Sequence, residues 1–342
     1  MARLRRVAAI APDCRNRARH RAADTIDAVP SPSLRGLHDD PPPYRTHRVD
    51  VGAGHVLSVR ESGHPDGIAA VILHGGPGSG CSPLQRRFFD PARYRIVCVD
   101  LRGAGRSTPR GAIADNTTAH LLADLRRVRA QLGIARWLVV GGSWGATLAL
   151  VHALDDPDAI AALLLRAVFL ARPHDIASFF AAGAFGLPSA TDASGVLDAV
   201  LARLQHPDAA PRRACALAWW RHEQQWASPV PLAASGEPPD IDAQVDRYRV
   251  QAHYMHHGCW VQQPPLLRRC AALPRRPTLI LQGSADRICP PDGAAALHAL
   301  LPHARYRELP GVGHDPSHPA MVDAMVRALD AFAAHGTFEA RP

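Results

Sequence analysis

The sequence predicts an α/β chain: a mostly parallel central sheet with helices on both faces, interrupted by an inserted helical cap. Three observations predict it. Short apolar runs at residues 69–73, 96–99, 137–140 and 278–281 read as strands buried on both faces, as the strands of parallel sheets do. Helical patterns stand between them, and strand–helix alternation is the signature of such a sheet. One apolar run leads straight into Gly141-Gly142-Ser143-Trp144-Gly145 and then into a small-residue helical pattern. That strand–turn–helix context is the one in which Gly-x-Ser-x-Gly lifts a serine hydroxyl above a sheet edge.

Taken in order, residues 1–43 read as a basic, Pro-rich and disordered extension, with arginines alternating with alanines before Pro41-Pro42-Pro43. Its apolar stretch at residues 7–11 is too short for a secretory signal, and Asp13, Asp24 and Asp27 count against an organelle-targeting peptide. Residues 47–61 alternate apolar and polar around Gly52-Ala53-Gly54, a β-hairpin pattern. The run at 69–73 delivers His74-Gly75-Gly76-Pro77-Gly78-Ser79-Gly80. A phosphate-binding loop would need a lysine, which the chain lacks, so this loop is read as a source of backbone N–H groups for an oxyanion. Pro77 fixes the loop and is a candidate for a preceding cis bond. Cys81 is read as loop packing.

Residues 95–100 form the next strand, and Asn116-Thr117-Thr118 opens an amphipathic helix running to about Leu132. Residues 160–167 read as a further buried strand. From 169 to 265 the pattern turns helical and holds most of the tryptophans; this is the cap, inserted between residues 44–168 and 266–342 of the catalytic domain. Strand character returns at 278–282, a helix follows over 290–301, a last strand spans 304–309, and a helix closes the chain over 319–335.

Composition bounds the function. The chain has 342 residues, 47% of them hydrophobic, enough for one large domain with an insertion. No apolar run is long enough to span a membrane. The net charge is +8 and all 39 basic residues are arginine, but the excess gathers in the first twenty-odd residues, so no nucleic-acid partner is expected. The seven cysteines are scattered without a Cys-x-x-Cys pair and read as small hydrophobes in a reduced, cytoplasmic compartment. Neither His314/His318 nor residues 256–259 offer a convincing ligand set, so no metal and no cofactor are expected.

A serine hydroxyl is a weak nucleophile until a base takes its proton, and the base needs an acid to hold its tautomer. In sheets of this kind the chain order is Ser, acid, His, each just past the C-terminal end of a strand. Ser143, Asp286 and His314 meet that order and those positions. The expected oxyanion donors are the Trp144 N–H and one from Gly75 or Gly76.

These residues resemble those of the proline iminopeptidases, serine peptidases of the α/β-hydrolase fold. The resemblance rests on residues 74–81, 100–109, 116–118, 141–150 and 165–170, completed by Asp286 and Gly313-His314, and covers most of residues 44–335 outside the cap. It implies release of an N-terminal residue, typically proline, from a short peptide with a free N-terminus. It also implies that Glu223 is one of the cap carboxylates that hold the free amine, and that Phe169 is a pocket wall. The chain departs from the pattern at Gln251, which stands where the family's second cap acid falls, and at Leu101, which replaces a glutamine. The first part of the cap, near Ser178 and Phe179, is shorter and lacks the acidic-aromatic pattern. An amide offers a neutral hydrogen bond, worth about 0.5–1.5 kcal/mol, where a charged one gives about 1.5–3 kcal/mol. An esterase or amidase with the same triad and a redirected cap is therefore the alternative. A non-catalytic binding protein is disfavoured because no triad position is lost.

Overall fold

The chain enters its sheet as a hairpin. In the computed structural model, which describes residues 33–181, 184–186, 192–227 and 238–339, β1 (Arg45–Gly52) and β2 (His55–Gly63) pair antiparallel around Gly52, Ala53 and Gly54, all at positive φ. β3 (Ile68–Leu73), β4 (Tyr94–Asp100), β5 (Trp137–Ser143), β6 (Ile160–Val168), β7 (Thr278–Gly283) and β8 (Arg305–Leu309) complete the sheet, whose order is β1-β2-β4-β3-β5-β6-β7-β8. β2 pairs antiparallel with β4, and every later pairing is parallel. From β3 the chain steps one way to β4 and then back across to β5. That reversal is the switch point at which open α/β sheets bind ligands, beyond the C-terminal ends of the strands.

Side chains alternate across the sheet into two cores. Val71, Val97, Val139 and Leu165 face one side, with α2 (Thr118–Gln131), α3 (Trp144–Asp155) and α9 (Pro291–Leu300) packed there. Ile72, Ile96, Leu138 and Leu164 face the other, under α10 (Pro319–His335). Each fully buried Val, Ile or Leu contributes about 1.5–3 kcal/mol. α2 starts where Thr117 accepts a hydrogen bond from the His120 N–H, satisfying one free amide of its first turn.

Between β6 and β7 the chain makes a helical excursion: α4 (Pro173–Phe179), α5 (Ala193–Leu204), α6 (Ala209–Ala227), α7 (Ile241–His256) and α8 (Leu266–Arg269). An aromatic cluster holds it together. Trp219 is fully buried and stacks on Tyr248 with ring centroids 4.7 Å apart, and Phe179, Phe180 and Phe185 crowd its other side.

Two features differ from the sequence expectations. Residues 34–43 do not stand free. Asp40 takes three hydrogen bonds of 2.7–2.9 Å from the buried Arg86 of α1 (Pro83–Arg86), and the His38 N–H donates to Arg87 O at 2.8 Å. A guanidinium buried to this degree requires a counter-charge, and residue 40 supplies it. Residues 1–32 lie outside the described residues. The Gly76–Pro77 bond is trans: the cis bonds among the described residues precede Pro109 and Pro264.

Candidate active site

Ser143 ends β5 and stands at the N-terminus of α3 with φ 57° and ψ −125°. A non-glycine residue held there costs about 1–3 kcal/mol. Crowding around the turn enforces it. A Cβ on Gly141 would lie 2.2 Å from Gly145 O, and one on Gly145 would lie 2.0 Å from Leu73 O. Only glycines let the turn close so tightly against β3, and the serine takes the strained geometry that results.

The loops beyond β7 and β8 bring Asp286 and His314 together. Asp286 is buried, and its Oδ1 accepts from the amides of Ile288 at 3.0 Å and Cys289 at 2.8 Å. Its Oδ2 is left for His314, whose Nδ1 lies 2.8 Å away. That contact assigns the ring proton to Nδ1 and leaves Nε2 with its lone pair. The His314 backbone is tied on both sides: its N–H donates to Ala227 O at 2.9 Å, and its carbonyl accepts from Arg166 Nη1 at 2.8 Å.

Ser143 and His314 open into one cavity of about 540 Å³ under the cap. The Ser143 hydroxyl faces the Cys289 thiol at 3.8 Å, and among the described residues it makes no hydrogen bond to His314. Burial and the nearby Asp286 carboxylate push the Cys289 thiol well above the usual range, so it stays neutral.

Gly75, Gly76 and Trp144 line the same cavity. A Cβ on Gly75 would stand 3.5 Å from the Ser143 Cβ, so the glycine loop touches the Ser143 turn directly. Buried His74 anchors that loop: its Nε2 accepts from the Leu101 N–H at 3.2 Å, and its Nδ1 lies 3.0 Å from Gly75 O. Burial lowers the His74 pKa, which keeps the ring neutral and able to accept. On the far side the loop meets the cap, where a Cβ on Gly78 would come within 2.4 Å of Arg247 O in α7. Cys81 is buried in the loop packing, its thiol 3.4 Å from Val99 O.

Phe169, Glu223 and Gln251 all line the cavity. Glu223 is not free, however. Arg247 Nη2 donates to both its oxygens, at 3.1 and 2.9 Å, and the Tyr248 hydroxyl donates to Oε2 at 2.9 Å. Burial, and then Glu223 itself, holds the Tyr248 phenol well above its usual pKa, so it remains a donor. Gln251 is nearly buried, and its Oε1 has no partner among the described residues.

Arg166, Arg247 and Cys289 are the site residues that sequence reasoning missed. Arg166 had a signal, as the one charge in the apolar run of β6. Arg247 had a weaker one, four residues before Gln251 and so on the same helix face. Cys289 had none.

The chain matches the family model described as alpha/beta hydrolase fold over residues 70–319. A proline iminopeptidase from Xanthomonas citri is 38% identical over 314 residues, spanning 88% of this chain and 100% of the relative. The chain belongs to the proline iminopeptidase family. A proline iminopeptidase from Arabidopsis thaliana is 35% identical over 308 residues, spanning 86% of this chain and 81% of the relative. Among solved structures, a bromoperoxidase from Bacillus anthracis superposes with a TM-score of 0.64 at 17% identity, covering 85% of this chain and 100% of the other. At that identity the likeness is one of fold. Proline iminopeptidase family membership and the eight-stranded sheet agree with the expectations from sequence. Among the described residues no helix is long and apolar enough to cross a membrane.

Proposed function

We propose that this family member is a serine aminopeptidase that releases an N-terminal residue, proline favoured, from short peptides through an acyl-enzyme on Ser143. The observation that carries the reading is the 2.8 Å contact between His314 and Asp286, opening into the cavity that holds the strained Ser143. In this mechanism His314 Nε2 takes the Ser143 proton as Oγ attacks the scissile carbonyl. Asp286 stabilises the imidazolium. The Trp144 amide and the Gly75–Gly76 loop, which line the same cavity, stabilise the tetrahedral intermediate. His314 then protonates the leaving amine, and water, deprotonated by the same ring, hydrolyses the ester. Phe169 forms part of the apolar wall facing the N-terminal ring.

A cytoplasmic location fits the six described cysteines, all buried and unpaired. One observation favours the esterase or amidase alternative: the cap carboxylate Glu223 is already ion-paired and Gln251 is neutral. The test is hydrolysis of prolyl 4-nitroanilide against short acyl 4-nitrophenyl esters, with Ser143→Ala as control. Release from the anilide that vanishes in the variant supports the aminopeptidase. Ester cleavage alone supports the alternative. Activity on both substrates unchanged by Ser143→Ala removes both readings.

A further inference from the structure

Glu223 and Arg247 meet at the cap end of the cavity, and their side chains are 13% and 25% exposed. A guanidinium is charged at any working pH, so the pair contributes no net charge to that end. Gln251 contributes none either. Both α7 side chains reach the oxyanion loop: a Cβ on Gly76 would lie 2.9 Å from Gln251 Oε1 and 3.5 Å from Arg247 Nη2. Of the other charges lining the cavity, Asp175 is ion-paired, and Arg166 and Asp315 are of opposite sign. Asp175 pairs with Arg172 at 2.6 Å, Asp315 binds the Ser317 hydroxyl, and Arg166 holds the His314 carbonyl. At the cap end the unpartnered polar atoms among the described residues are the neutral Gln251 acceptor and the buried Nε–H of Arg247, the cation already paired with Glu223.

We infer that Arg247 is the specificity-determining residue of this cavity: by pairing with Glu223 beside a neutral Gln251, it makes the enzyme only weakly selective for a protonated N-terminal amine. This rests on the serine-hydrolase reading of Ser143. An incoming ammonium meets a carboxylate that already holds a cation, and gains a neutral hydrogen bond from Gln251 where a charged one would bind it tightly. Acyl groups of the same shape without the amine therefore compete well.

The decisive comparison uses prolyl 4-nitroanilide and cyclopentanecarbonyl 4-nitroanilide, which differ by one ring NH. In the wild type the kcat/KM ratio of the two is expected below about tenfold. In Arg247→Gln the freed Glu223 should raise it about tenfold, the difference between a neutral and a charge-assisted hydrogen bond. Arg247→Lys keeps the cation, so its ratio should stay near that of the wild type. A role confined to packing would lower both rates together and leave the ratio where it was. That result overturns the inference, as does a wild-type preference for the prolyl substrate beyond about a hundredfold. Should Arg247→Gln not fold, the wild-type and Arg247→Lys ratios decide. Labelling of Ser143 by a fluorophosphonate separates the two levels. A labelled enzyme with the wrong ratio loses only this inference, whereas an unlabelled and inactive one loses the serine-hydrolase reading and this inference with it.

Discussion

His314 Nδ1 lies 2.8 Å from one oxygen of Asp286, while the other oxygen is held by two backbone amides. The carboxylate therefore cannot rotate, and its free oxygen selects the tautomer of the ring. In Asp286→Asn the amide oxygen would keep the two backbone bonds and turn an NH₂ toward His314. The ring would then carry its proton on Nε2, the wrong nitrogen for a base. We expect kcat to fall about 10⁴-fold with circular dichroism unchanged, measured on prolyl 4-nitroanilide. A loss under about tenfold would remove Asp286 from the mechanism.

Backbone crowding at the Ser143 turn bears on stability. In Gly145→Ala the new Cβ would sit 2.0 Å from the main-chain oxygen of Leu73, an atom that moves only if β3 moves. The variant should lose more than about 3 kcal/mol in urea unfolding. Gly36→Ala, with nothing within 4 Å of its new methyl, serves as control and should stay within about 0.5 kcal/mol of the wild type.

His152 accepts a hydrogen bond from Trp137 Nε1 at 3.1 Å, and burial lowers its pKa to about 4. The unfolded chain takes up this proton near pH 6.5, the folded one only near pH 4. Between these values the unfolded state binds more protons, so stability falls as pH falls, by roughly 3 kcal/mol at about 1.36 kcal/mol per pH unit. Above pH 6.5 the ring contributes no slope. His152→Gln, compared with the wild type in denaturant titrations across this range, should show a flatter acid limb. An unchanged slope would mean that other groups set it.

Gln251→Glu should restore a charge to the cap end of the cavity. We expect the ratio of prolyl to cyclopentanecarbonyl anilide cleavage to rise about tenfold, mainly through KM for the prolyl substrate. An equal change for both substrates would place residue 251 outside amine recognition.

Much of this molecule could be read from its residues. Strands buried on both faces announce themselves as apolar runs, and β3, β5 and β7 fall close to where those runs are. Ser143, Asp286 and His314 could be nominated together because each stands at or past the end of a strand, and strand ends converge on one edge of a parallel sheet. The partner of Glu223 was not findable in the same way. Arg247 lies on a different helix, and a charge on a helix reads as a solvated face unless the neighbouring helix is known. The anchoring of residues 34–43 was hidden for a similar reason: their polar composition signals disorder, and the buried Arg86 that captures Asp40 becomes visible only once both are folded.

Helix α7 meets the glycine loop through main chain as well as side chain, with Arg247 O against Gly78. Selection for a new diet would act on that helix, and each shift of its axis would be felt as a change in how well the nascent alkoxide is cradled. With the roles proposed here for the loop and the cap, laboratory evolution of substrate preference through α7 should drag turnover with it.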